Sequence, residues 1–218
     1  MALSKRYDHE GLHLKYDMSQ PEIHVGTGIV KVHDIFDPLP DFMMQADCIF
    51  SDPPCSNGNL RAFYTKAEID QQEKEFSAFR DRFFECVDQI KPRLLILETF
   101  KANHMSFLER VRARYSNVKV YDSMYYRRPC NHCYIIVASN DQIDEYFDSI
   151  QGIDEEDVIE WICKNVPFHC IADPCMGKGL VGFYANKYGR KFVGTELNKK
   201  RLAVLLERIM TGKRGHIN

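Results

Sequence analysis

Short apolar runs alternate with amphipathic stretches along most of this chain. Gly28-Ile29-Val30-Lys31-Val32-His33-Asp34 reads as a strand ending in an acid, and Ala46-Asp47-Cys48-Ile49-Phe50 as a buried strand. Further strands are expected over 93–99 around Leu94-Leu95-Ile96-Leu97, and over 118–121, 132–138, 169–173 and 191–196. Between them, apolar residues recur at helical spacing. Phe76, Phe79, Phe83, Val87 and Ile90 form one face of a helix over 68–90. Phe107, Leu108 and Val111 do the same over 103–115, with Asn103 as the expected cap. Helices are also expected over 180–188 and over 199–210, the latter with Leu202, Leu205, Leu206 and Ile209 turned inward. Residues 56–66, with Gly58 and two asparagines, read as a loop. Residues 1–21 are polar and read as a loose arm, and Lys213-Arg214 as a frayed basic tail. Near-regular alternation of strand and helix predicts an α/β fold with a mostly parallel sheet.

Composition narrows the class. At 218 residues the chain suits one domain, long enough to bury a real core. Hydrophobic residues at 44% and charged residues at 28% fit a globular protein, and no apolar run approaches the ~20 residues of a membrane span. Four of the eight cysteines (Cys48, Cys86, Cys163, Cys170) sit within apolar runs, which predicts buried reduced thiols in a cytoplasmic protein. Cys130 and Cys133 flank His132 at metal-ligand spacing, but no second pair matches, so no metal is expected. The net charge of −2 announces no global basic field, so nucleic-acid binding would rest on a local patch.

Two stretches carry candidate chemistry. Ser51-Asp52-Pro53-Pro54-Cys55 stops a strand at a carboxylate followed by two prolines. Proline fixes its own φ and pushes the preceding residue toward extended backbone. A stiff turn results, holding one carboxylate and the neighbouring carbonyls in fixed directions, as needed to grip an amino group. The second stretch is Asp173-Pro174-Cys175-Met176-Gly177-Lys178-Gly179, followed by Gly194-Thr195-Glu196-Leu197-Asn198. Gly177 and Gly179 permit a tight turn and close approach to a ligand. Glu196 lies 23 residues beyond Asp173, the spacing at which a carboxylate reaches ribose hydroxyls. The third glycine of a pyrophosphate-binding turn is missing, which favours a nucleoside without phosphates.

Asp52-Pro53-Pro54-Cys55 resembles the Asp-Pro-Pro-Tyr signature of S-adenosylmethionine-dependent amino methyltransferases, and the second stretch resembles their cofactor motif. Catalytic motif before cofactor motif is the permuted order of the β group of DNA methyltransferases that act on adenine N6 or cytosine N4. The resemblance spans about 33–208. It implies a single methyltransferase domain over 1–218 with a Rossmann-like sheet, mostly parallel with one antiparallel strand and helices on both faces. It implies S-adenosylmethionine as cofactor, nucleic acid as partner with DNA favoured over RNA, and a bacterial, archaeal or phage setting such as restriction-modification. Asp52, Pro53, Pro54 and Cys55 would be catalytic. The cofactor would be held by Asp34, by Asp173, Pro174, Cys175, Met176, Gly177 and Gly179, and by Glu196 and Asn198. Arg61, Phe63, Tyr64 and Lys66, with Tyr126, Arg127 and Arg128 of a late hairpin, would meet the substrate. Adenine N6 is favoured because Asp opens the motif; cytosine N4, RNA, or an inactive partner protein are the alternatives. Cys55 stands where the family has an aromatic that stacks on the flipped base, and Cys175 where it often has Phe; Phe63, Tyr64, Tyr125 or Tyr126 could supply the missing ring.

In permuted relatives a sequence-reading insert precedes the cofactor motif. Here 141–166 holds nine acids and one lysine, and Val158, Ile159 and Ile162 suggest an amphipathic helix with a solvated acidic face. Acid repels phosphate. The expected organisation is therefore an arm over 1–24, a short acidic helical segment over 140–168 in place of a target-recognition domain, and little sequence specificity.

Overall fold

The computed structural model describes residues 9–69 and 75–215. Eight strands form one sheet in the order β1-β2-β8-β7-β3-β4-β6-β5. They are β1 (Ile23–Val25), β2 (Gly28–Val32), β3 (Cys48–Ser51), β4 (Leu94–Thr99), β5 (Asn117–Met124), β6 (His132–Ser139), β7 (Cys170–Asp173) and β8 (Lys191–Glu196). β2, β8, β7, β3 and β4 run parallel, and β6 is antiparallel to both β4 and β5. β6 is the antiparallel strand expected within a mostly parallel sheet. A second one, the three-residue β1, pairs with β2 inside the stretch read as arm.

Alternation along the central strands gives the sheet two apolar faces. Phe50, Leu94, Ile96 and Ile171 face one way, toward α4 (Glu155–Asn165), α5 (Leu180–Lys187) and α6 (Lys199–Thr211). Ile49, Leu95, Leu97 and Ala172 face α1 (Asn57–Ala67), α2 (Phe76–Ile90) and α3 (His104–Arg112). The layers are therefore helix, sheet, helix, as expected.

Several local expectations give way. Residues 56–66 are not a loop: α1 occupies them, with Ser56 Oγ accepting from Asn59 N at its start and Leu60 and Tyr64 buried one turn apart. Local polarity lost to the burial of that i, i+4 pair. The helix expected from 68 begins at Phe76, and part of its early stretch lies outside the described residues. Asn103 is the cap residue of α3 as expected, but its side chain makes no capping bond; it accepts from Phe100 N and pins the preceding turn.

Both chain ends hold more order than polarity suggested. Residues 1–8 lie outside the described part, but His9–Leu14 forms a 3-10 turn whose Leu12 packs on Ala203 and Val204 of α6. Tyr16 Oη donates to Glu207 at 2.7 Å. At the other end, Arg208 Nε donates to the Arg214 carbonyl and the Arg214 guanidinium pairs with Glu156 of α4. The tail as far as Gly215 is thus docked rather than frayed. The acidic segment is the crossover from β6 to β7. Its α4 buries Val158, Ile162 and Cys163, and its acids are partly paired, Glu160 with Lys187 and Asp157 with Arg127.

Candidate active site

Five parallel strands end at one edge of the sheet, and each end carries an acid. Asp34 lies just past β2, Glu196 closes β8, Asp173 closes β7, Asp52 follows β3, and Glu98 sits near the end of β4. Strand order reverses between β7 and β3, where open α/β sheets leave a crevice for ligands. A cavity of about 520 Å³ opens there, within the usual range for small-molecule sites.

The cofactor-like half of this cavity is built by the glycine loop. Asp173 Oδ1 accepts from Ser51 Oγ at 2.9 Å and from Cys175 N at 3.0 Å, so the carboxylate ties the β3 end to the loop. Burial pushes its carboxyl up to about 7 despite those bonds, and the nearby charges of Asp52 and Glu196 act in the same direction. Glu196 is not a surface acid. It is 7% exposed, accepts from Gly177 N at 2.7 Å and Asn198 N at 2.9 Å, and keeps further lone pairs toward the cavity. Burial raises its carboxyl, opposed first by Arg201. Gly177 has φ +56° and lines the cavity. Asp34 lines the far end and accepts from Tyr64 Oη at 2.8 Å. Pro174, Cys175 and Met176 are also in the wall.

Two expected ligand residues stand apart. Gly179 is needed for packing: its φ is +71°, and a Cβ there would come 2.6 Å from Leu205 Cβ on α6. Asn198 caps α6, accepting from Lys200 N while its amide donates to the Lys66 carbonyl. Neither lines the cavity.

Asp52 stands where this cavity meets a second, shallower hollow lined by Pro53, Cys55, Phe100, Tyr125, Tyr126 and Cys130. Pro54 lines the main cavity. Tyr125 Oη donates to Asp52 Oδ2 at 2.7 Å, and its ring stacks on Phe100 with centroids 5.1 Å apart. Asp52 is reached by solvent through the cleft yet ringed by protein. That crowding pushes its carboxyl up to about 6, opposed by the Tyr125 bond and by Arg201. The carboxylate is therefore ionised at neutral pH, as an acceptor must be. Burial also raises the Cys55 thiol, which keeps it from acting as a thiolate.

Of the expected substrate contacts, Phe63 and Tyr126 line both hollows, and Tyr64 is buried beneath Asp34. Tyr126 is 75% exposed with φ +57°, which thrusts its ring into the mouth. Arg61 and Lys66 lie on α1 outside both hollows. Arg127 is held by Asp157 at 2.7 Å and Arg128 is exposed. Cys130 is exposed and Cys133 is buried. Sequence reasoning did not single out Glu98, Glu155 or Arg201 as site residues. Glu98 and Glu155 are buried in the main cavity wall, and the Arg201 guanidinium lies over the Phe63 ring at 4.9 Å.

The fold, a mostly parallel sheet with a crevice at its carboxyl edge, is shared with solved DNA methyltransferase structures. Among solved structures, the chain is similar to TTHA0409 of Thermus thermophilus, described provisionally as a DNA modification methylase. The TM-score is 0.54 at 14% identity over 78% of this chain and 88% of that one. It is also similar to M1.HpyAVI in complex with S-adenosylmethionine (TM-score 0.54, 15% identity, 82% and 97% covered). A third is the cytosine-N4-specific PvuII DNA methyltransferase (TM-score 0.52, 10% identity, 87% and 94% covered). No family model and no curated protein matches the chain. Among the described residues, no helix is long and apolar enough to cross a membrane.

Proposed function

We propose that this protein is an S-adenosylmethionine-dependent methyltransferase that modifies the exocyclic amino group of a nucleobase in DNA, most favourably adenine N6. The carrying observation is that Asp52 stands between the glycine-loop cavity and the open hollow beside it. A group there touches whatever fills either side.

The residues fit the cofactor. Glu196 would accept from ribose hydroxyls, Asp34 would accept from an adenine amino group, and the 174–177 loop would support the methionine end. When bound, S-adenosylmethionine supplies an electrophilic methyl group. The chain's own residues prepare the acceptor. Asp52 Oδ1 and the Pro53 carbonyl accept the two amino N–H bonds, hold the nitrogen and favour a more tetrahedral geometry. The ionised carboxylate stabilises positive charge as it grows on that nitrogen and receives the surplus proton. Positioning supplies much of the remainder.

Two solved structures of similar fold, described as a DNA modification methylase and a DNA methyltransferase, support DNA over RNA as substrate. Asp at the head of the motif supports adenine. The cytosine-N4-specific neighbour gives cytosine N4 as the second reading. Incubation with tritiated-methyl cofactor and DNA or RNA, followed by nucleoside mass spectrometry, tests both. N6-methyladenine from DNA is expected. Label in N4-methylcytosine alone would select the second reading, and no label in any nucleic acid would reject both.

A further inference from the structure

The carboxylate of S-adenosylmethionine accepts hydrogen bonds and donates none, so its site must supply donors. The glycine loop has few to offer. Cys175 N donates to Asp173 Oδ1 at 3.0 Å and Gly177 N to Glu196 Oε2 at 2.7 Å. Met176 N donates to the Thr195 carbonyl at 3.0 Å and Gly179 N to the Met176 carbonyl at 2.7 Å. The side chains of the cavity wall are rich in acceptors instead: Asp34, Asp52, Glu98, Glu155, Asp173 and Glu196 all line it. That wall suits the ammonium and sulfonium of the cofactor, not its carboxylate.

Four cationic side chains stand in the same wall: Lys178, Arg201, Arg208 and Arg214. Three have other partners. Arg208 gives Nη1 to the Lys178 carbonyl at 2.7 Å and Nε to the Arg214 carbonyl at 2.9 Å. Arg214 pairs with Glu156, and Lys178 has an interaction of its own. Arg201 differs: its guanidinium makes no hydrogen bond or ion pair among the described residues. It is held over the Phe63 ring, 4.9 Å from the centroid, a contact that needs no acceptor oxygen. Its Nη2 lies beside the bare Cα of Gly177, since a Cβ there would come within 2.9 Å of it.

We infer that Arg201 binds the carboxylate at the methionine end of the cofactor, beside the Gly177 turn. The inference rests on the S-adenosylmethionine reading above and adds the residue that holds the anionic end. An arginine that lines a cleft with six carboxyl groups and pairs with none of them keeps its planar fork of donors for an incoming carboxylate, the geometry that fork matches. Phe63 fixes the fork from below. Because Phe63 also lines the open hollow, the same ring joins the cofactor's anionic end to the substrate side.

The test compares S-adenosylmethionine with decarboxylated S-adenosylmethionine, which lacks that carboxylate alone, by calorimetry on the full chain. The wild type is expected to prefer the intact cofactor by about ten- to a hundredfold, the size of a charge-assisted pair. Arg201→Gln is expected to abolish the preference by weakening the intact cofactor and leaving the decarboxylated one unchanged. Arg201→Lys keeps the charge without the fork and is expected to retain part of the preference; it carries the comparison if circular dichroism shows Arg201→Gln misfolded. Equal affinity of the wild type for the two ligands overturns the inference. So does equal weakening of both in Arg201→Gln, which would put the guanidinium on a part they share. Unchanged binding of both with a raised KM for DNA also overturns it, giving the guanidinium to a substrate phosphate. If the wild type binds the cofactor but transfers no methyl group, the proposed activity fails while the two affinities still decide Arg201.

Discussion

Ser51 and Asp173 lie 122 residues apart in sequence, and the serine hydroxyl donates to Asp173 Oδ1 at 2.9 Å inside the sheet. The bond locks the strand that leads into the catalytic turn to the strand that leads into the glycine loop. It also burdens the fold with a buried acid. The Asp173 carboxyl is raised to about 7 in the folded chain from an ordinary 3.8. Its protonated form favours folding, so its contribution is complete below about 4 and lost as pH rises through about 7. Thermal melts should show the wild type losing stability between about pH 4 and pH 7. Asp173→Asn, which can still accept from Ser51 and Cys175, should lose less. Part of the slope will persist, because burial also raises Glu98 and lifts Glu155 to about 8. Identical slopes in the two proteins would contradict this account.

Glu196 should decide cofactor affinity. Two hydroxyl contacts to an ionised group contribute ~1.5–3 kcal/mol each, so Glu196→Ala should weaken S-adenosylmethionine binding by at least roughly tenfold in calorimetry. The circular dichroism spectrum should stay unchanged. Equal affinity would remove Glu196 from the site.

Asp52→Ala should leave folding and cofactor binding intact while lowering turnover by roughly 10²–10³, the scale of losing one preorganised polar contact. Single-turnover methyl transfer measures this directly, and an undiminished rate would exclude Asp52 from the chemistry.

Cys55 has no ring for a base to stack on, and Tyr125 is committed to Asp52 and Phe100. Tyr126 is the exposed ring at the mouth. Base stacking is worth ~1–3 kcal/mol, so Tyr126→Ala should lower kcat/KM for DNA about ten- to a hundredfold without changing cofactor affinity. A loss of cofactor affinity instead would place the ring on the other side of the site.

Sequence preference should be weak and activity steeply salt-dependent. Reading a duplex needs an element aimed at base edges, while phosphate contacts only position. The interval before the cofactor motif is filled by α4, packed on α5, with Glu155 buried and Glu156, Asp157 and Glu160 in ion pairs. Sequencing methylated positions on a plasmid should reveal many contexts. One motif of four or more bases, modified to completion, would reveal a specificity element, with α1 as its first candidate.

Seven of the eight strands were legible because each buried run has a clear apolar core and a polar stop; the three-residue β1, only one of whose residues is buried, was not. Asp52, Asp173 and Glu196 stood out because a proline or glycine turn, or a strand end, marks each. α1 was misread because Asn57, Gly58 and Asn59 look like a loop locally, and only the burial of Leu60 and Tyr64 against the sheet reveals the helix. Glu98 was visible as a strand-end acid but not as a site residue. What turns it into one is its neighbours, Asp52, Tyr125 and Glu155, and these come from distant parts of the chain. Gly179 illustrates the converse: the motif marks it as a residue of the cofactor loop, but its freedom from a side chain serves contact with Leu205.

The strand order has a consequence for how the chain is made. β2 and β3 are consecutive in synthesis but are separated in the finished sheet by β8 and β7, a gap of roughly 14 Å at ordinary strand spacing. Until Cys170–Asp173 and Lys191–Glu196 emerge from the ribosome, β2 and β3 each present an unpaired edge beside apolar residues. Such edges are templates for pairing with other chains. The middle of the sheet is thus its final part to arrive, and the nascent protein is most prone to self-association just before the two strands that form its centre exist.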